Sequence, residues 1–133
     1  MKKLTLGLFS FLFIFSISSS PSLSAKRGIY IEGQIKVIDG DTIKMDGMSI
    51  RLSGIDAPEK NQICLNKNNK RYNCGSISTK ILKKYVGSEK IKCRYTEKDR
   101  YGRILGTCYF PNDNLKLSLN RYMVHTGHAV AYK

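Results

Sequence analysis

Across residues 29–38, Ile29, Ile31, Ile35 and Val37 alternate with Tyr30, Glu32, Gln34 and Lys36. That period of two predicts a strand with one buried face, and Gly33 inside it marks a bulge or a sharp bend. Two shorter strand-like runs, Thr42–Met45 and Met48–Leu52, flank Asp46-Gly47, a dipeptide that favours a two-residue type I′ hairpin turn. Pro58, which has no N–H for a ladder, ends the next extended run, and Ala57 before it is kept out of the helical region. Residues 60–73 have no period and many Asn and Lys, so a loop is expected there. From Ser76 the spacing turns helical, with Ile77, Ile81, Leu82, Tyr85 and Val86 on one stripe and Gly87 as a C-terminal cap. That stripe reads as core packing without chemistry. Residues 89–97 and 103–110 alternate again as a fourth and fifth strand, joined by a turn over 98–102. A turn over 111–114 then leads to a second helix over 115–126, with Leu119, Met123 and Tyr122 inward and Gly127 near its end. Five short strands with a helix inserted after the third suit an OB-type Greek-key barrel of the α+β class, mainly β with two helices.

The start of the chain has a different texture. Lys2 and Lys3 precede the apolar run 4–17 and the small-residue run 18–25, which is the layout of a secretory signal peptide cut after Ser24 or Ala25. The apolar run is shorter than the ~20 residues of a bilayer span. The expected plan is a signal peptide over 1–24 and one domain over 25–133. The product would be an exported monomer, periplasmic or extracellular, without stable membrane association once the leader is removed.

Export changes the reading of the four cysteines. No Cys-x-x-Cys is present, so a zinc site has little support, and an oxidising compartment favours disulfides. Cys64 and Cys74 bracket the polar loop, while Cys93 and Cys108 lie on two strand-like runs on either side of the turn at Arg100-Tyr101. The pairs expected are Cys64 with Cys74 and Cys93 with Cys108.

Charge narrows the partner. The chain has 23 Lys and Arg against 10 Asp and Glu, and 21 against 10 once Lys2 and Lys3 are set aside. Such an excess on a small domain points to a polyanion.

Asp39-Gly40-Asp41 and Asp56-Ala57-Pro58-Glu59 lie at the two ends of the predicted hairpin, so its fold brings the acids together. Converging carboxylates require a compensating cation, and a hard divalent ion that seeks oxygen meets that need. An EF-hand loop starting at Asp39 is excluded by Ile43 and Lys44, which fall where a ligand and a glycine belong.

The run from Val37 to Thr42, the segment Arg51-Leu52-x-Gly54-Ile55-Asp56-Ala57-Pro58-Glu59 and the later Asp99-Arg100-Tyr101-Gly102-Arg103 resemble, in order and spacing, the staphylococcal nuclease-like (thermonuclease) family. The likeness runs from about Ile29 to Tyr132. It implies Asp41, Asp56 and the backbone carbonyl of Ala57 as calcium ligands, with Asp39 as the acid next to them. The family more often has threonine at the position of Ala57, a change that a carbonyl ligand survives. Glu59 matches the glutamate that orients or deprotonates water, and Arg51 and Arg103 match the two arginines that grip phosphate. Arg100 stands where lysine is commoner, and Tyr101 and Tyr132 match aromatic positions that contact terminal phosphate or base. Family members usually continue into a third, charged helix; this sequence stops at Lys133, as a short natural variant or as a fragment. The implied activity is calcium-dependent hydrolysis of DNA and RNA, single strands preferred, leaving 3′-phosphate and 5′-hydroxyl ends. The rival reading is a non-catalytic OB-fold module that binds nucleic acid by stacking and charge.

Overall fold

A computed structural model describes residues 27–132, so the signal-peptide reading of 1–24 lies outside the described residues. The strands are β1 (Ile29–Gly33), β2 (Ile35–Val37), β3 (Thr42–Met45), β4 (Met48–Leu52), β5 (Ile55–Asp56), β6 (Cys64–Leu65) and β7 (Arg71–Tyr72). Helix α1 (Cys74–Val86), β8 (Ile91–Lys98), β9 (Ile104–Tyr109), α2 (Leu119–His125) and β10 (Val130–Ala131) follow. The main sheet has the order β1-β8-β9-β4-β3-β2, in which only the β4–β9 pair is parallel.

The single strand expected over 29–38 is broken beside Gly33. Its first half pairs with β8 and its second with β3, at opposite edges of the sheet. Because the two halves are consecutive in the chain, one bent strand joins both edges and the sheet curls round on itself. Six observed strands therefore correspond to the five expected, and the α+β, OB-like architecture is the one the pattern predicts. The hairpin turn is left-handed at both central residues, with φ of 47° at Asp46 and 79° at Gly47, as a type I′ turn requires.

The core lies inside the curl. Ile43, Met45, Ile50, Leu52, Ile91 and Ile104 project from the strands, and Leu82, Leu119 and Met123 close it from the helices. Cys93 and Cys108 are register partners on β8 and β9, fully buried and joined as expected; Cys64 and Cys74 are joined as well.

Three local expectations change. Helix α1 starts at Cys74, two residues before the spacing suggested, because Asn73 caps it through a bond from the Ser76 N–H (3.0 Å). Its buried face carries Gly75, Ser78, Thr79, Leu82 and Val86, whereas Ile77 points outward. Helix α2 starts at Leu119 rather than near 115: the Asp113 carboxylate accepts the N–H groups of Leu115 and Lys116, holding a turn there, and Ser118 takes the cap. Leu115 is left 98% exposed. Finally, the loop over 60–73 contains the small β6–β7 ladder, whose tip is held by the Asn66 side chain accepting from the N–H groups of Asn68 and Lys70.

Candidate active site at the base of the hairpin

The β3–β4 hairpin sets Asp41 and Arg51 at its open end, where Thr42 is the register partner of Arg51. The Leu52 N–H donates to the Asp41 carbonyl at 2.8 Å, fixing the backbone on both sides. Asp41 is 4% exposed, and a buried carboxylate needs every lone pair answered. The Ala57 N–H donates to Oδ2 at 2.8 Å, the Thr42 hydroxyl donates to Oδ1 at 3.0 Å, and the Arg51 guanidinium makes an ion pair with Oδ1. The same guanidinium reaches Oδ1 of Asp56 at 2.8 Å. Two carboxylates from separate segments thus converge on one cationic group. Burial works against the Arg51 charge, but its bonds to Asp41 and Asp56, with a smaller contribution from Tyr132, outweigh that and hold its pKa above the ordinary arginine value.

Asp39 supports this arrangement from behind, its Oδ1 accepting the Asp41 N–H at 3.1 Å. Burial, and the like charge of Asp41 after it, hold the Asp39 carboxyl above its usual pKa despite that bond. On the far side, β10 pairs with β5, setting Val130 opposite Asp56 and Ala131 opposite Ile55, and the Tyr132 N–H bonds the Gly54 carbonyl at 3.1 Å. This short ladder carries Tyr132 to Arg51.

The start of helix α1 braces the acids. A side chain at Gly75 would collide with the main chain of Glu59, and one at Gly40 with Ser78 and Ala57, so both close approaches require glycine. Glu59 is held by its backbone, whose N–H donates to Oε1 of Gln62 at 3.1 Å, and its carboxylate is exposed. Among the described residues no side chain pairs with that carboxylate.

Asp39, Asp41, Arg51, Asp56, Ala57 and Tyr132 therefore come together, with Glu59 next to Ala57 and Pro58. Arg100, Tyr101 and Arg103 form a separate group at the β8–β9 turn. Arg103 pairs with Asp99 at 2.7 Å, and the guanidinium carbons of Arg100 and Arg103 lie 4.9 and 5.6 Å from the Tyr101 ring centre. Arg51 is the register partner of Leu105, and Arg103 stands two residues before Leu105, at the end of the turn that leads into β9. Three contributors escape sequence reading: Thr42, Gly75 and Ser78. Only Gly75 leaves a signal, since glycine in a helix costs about 1 kcal/mol relative to alanine and asks for a packing reason.

Among the described residues no three His, Cys, Asp or Glu side chains gather closely enough to hold an ion by themselves. The donor chemistry nevertheless fits a hard cation, because Asp41 and Asp56 already present oxygens to one shared positive group and calcium completes its shell with carbonyls and water. Ala57 shows its N–H on Asp41, and that N–H is the contact it makes in the cluster.

A curled OB-like barrel with acids and an arginine at a hairpin base and a second arginine at the turn leading into the adjoining strand defines the class of nuclease-like barrels. The chain belongs to the staphylococcal nuclease homologue family, whose model matches residues 49–133. That span takes in Arg51, Asp56, Glu59, Arg103 and Tyr132 and leaves Asp39 and Asp41 before it. The chain is 38% identical over 101 residues to the succinoglycan biosynthesis protein ExoI of Rhizobium meliloti, covering 75% of this chain and 51% of that protein. It is 39% identical over 103 residues to an uncharacterized endonuclease of Escherichia coli (74% and 59% covered), and 35% over 77 residues to a thermonuclease of Staphylococcus hyicus (53% and 43%). It thus spans about half to three-fifths of the length of the first two.

Proposed function

We propose that this chain is an exported, calcium-dependent endonuclease that hydrolyses phosphodiester bonds in DNA and RNA, single strands most readily, leaving 3′-phosphate and 5′-hydroxyl ends. The observation that carries this reading is the convergence of Asp41 and Asp56 on the Arg51 guanidinium. The family and its nuclease-named members support it.

Hydrolysis needs a positioned water, neutralised phosphate oxygens and a stabilised leaving oxygen. Asp41 and Asp56 would hold calcium, with the Ala57 carbonyl; when bound, the ion offsets phosphate charge and acidifies water. Arg51 turns one donor edge from its carboxylates to the phosphate, a pairing for which a planar guanidinium is suited. Arg103 exchanges Asp99 for phosphate in the same way from the end of the β8–β9 turn. Glu59, whose exposed carboxylate is paired with no side chain among the described residues, takes or orients the proton of the attacking water. Arg100, Tyr101 and Tyr132 supply charge and ring surface to the flanking nucleotide.

One observation favours the rival binding module: both phosphate-gripping arginines are occupied by acids in this structure. Purified protein separates the two. Calcium-supported degradation of single-stranded DNA that stops on chelation, with 3′-phosphate ends, is the expected result. Retention of the strand uncut under those conditions contradicts it.

A further inference from the structure

A cleft of about 370 Å³ opens beside the site, and the nuclease chemistry does not use it. Asp56 and Ala57 form the wall it shares with the Arg51 cluster; Tyr72, Ile77 and the Cys64–Cys74 disulfide form the others. Val130 closes it from β10. The apolar residues here are turned to solvent: Tyr72 is 41%, Ile77 40% and Val130 65% exposed. Ile77 departs from the helical stripe for this reason, its side chain lying on the cleft instead of in the core. The loop that bears Tyr72 is cationic, while the lining of the cleft holds one acid, Asp56. Between Glu59 and Glu89 there is no acid, and Lys60, Lys67, Lys70 and Arg71 are exposed in the loop that bears Tyr72.

We infer that this cleft is a base-binding subsite, in which a nucleobase of the strand being cut stacks on Tyr72 against Ile77. The inference rests on the nuclease reading and extends it to a second subsite, away from Tyr101. Three features select this occupant. Exposed aromatic surface on a basic loop is how single-stranded nucleic acid is held without sequence preference. The shared Asp56–Ala57 wall places the cleft next to the nucleotide whose phosphate meets Arg51. The disulfide fixes the ladder that presents Tyr72, so the platform is ready before the strand arrives. Arg51 and Arg103 then hold phosphate between base contacts on two sides.

The test is binding by the full chain carrying Glu59→Gln, with calcium present, of single-stranded DNAs that differ by one abasic position walked along the strand. One position is expected to weaken binding roughly tenfold, the scale of one lost stacking contact. That penalty should vanish when Tyr72→Ala is added and persist with Tyr72→Phe, which keeps the ring. Ile77→Ala, on helix α1 and independent of the loop's folding, should halve the penalty or better. An equal penalty with and without Tyr72, or no penalised position at all, overturns the proposal while wild-type cleavage leaves the nuclease reading standing. Failure to bind any strand overturns both. A concentration-dependent rise in mass that Tyr72→Ala abolishes, with strand affinity unchanged, assigns the cleft to a second copy of the chain and also overturns it.

Discussion

Arg51 lies on β4 and Arg103 just ahead of its neighbour β9, and each is paired with an aspartate, yet their surroundings differ. Arg51 is mostly buried, and its partner Asp41 comes from the segment just ahead of β3 and is almost wholly enclosed. The Arg103 side chain is 32% exposed, and its partner Asp99, 15% exposed, lies four residues away at the start of the β8–β9 turn. The first pair holds two segments of the barrel together; the second trims a loop. The same proposed role, gripping phosphate, thus falls to one residue that ties separate segments together and to one that closes a turn.

Arg51→Ala should have the largest effect, because it strips donors from the transition state and leaves Asp41 buried without its cation. Turnover should fall by ~10² to 10³ per lost donor, and stability by about 3–5 kcal/mol, as for other broken buried pairs. A denaturation midpoint equal to wild type would break the comparison. Arg103→Ala should cut turnover on a similar scale of ~10² or more while moving the midpoint less than Arg51→Ala does, since this pair joins residues four apart on one turn and is partly open to solvent. An equal loss of stability there would show that the turn matters more than its exposure suggests.

The two disulfides extend the contrast from charge to chain constraint. By chain entropy, closing the 15-residue separation of Cys93–Cys108 and the 10-residue separation of Cys64–Cys74 is worth roughly 3 kcal/mol each. The buried pair adds packing, so Cys93→Ala with Cys108→Ala should lower the midpoint further than Cys64→Ser with Cys74→Ser. The latter should instead weaken strand affinity through Tyr72. Equal losses in both properties for both double variants would contradict this.

Asp99→Asn should have the smallest effect. Slight burial raises the Asp99 pKa, but the Arg103 side chain and the N–H groups of Arg103 and Tyr101 outweigh it and hold the group below its ordinary 3.8. A depressed carboxyl stabilises the fold above its unfolded pKa, and that contribution is lost as pH falls through the folded value. The variant should therefore be slightly less stable than wild type at neutral pH and equal to it in strong acid. A difference that grows on acidification would reverse the sign.

Much of this was legible in the residues. The alternation from Ile31 to Val37, the Asp46-Gly47 turn and both cysteine pairs follow local signals that the fold bears out, whereas Ile29 is exposed and the strand is broken beside Gly33. Gly33 signalled a bend, but no local pattern says that the two halves of one strand close opposite edges of a sheet. Helix α1 was read with Ile77 inward because hydrophobicity alone assigns the stripe; the bracing of Glu59 by Gly75 and of Gly40 by Ser78 rotates the buried face toward small residues. The acids at the hairpin base were visible, whereas the bridging of Asp41 and Asp56 by Arg51 depends on side-chain geometry that spacing does not carry.

Cleavage and affinity measured together on single-stranded DNA with calcium, for wild type and Glu59→Gln, test the central claim most directly. Both proteins should bind the strand with similar affinity, and wild type alone should cut it rapidly, with Glu59→Gln slowed by orders of magnitude because its lost role is in the reaction. Folded wild-type protein that binds the strand tightly in calcium and cuts none of it would contradict the nuclease and leave the binding module in its place.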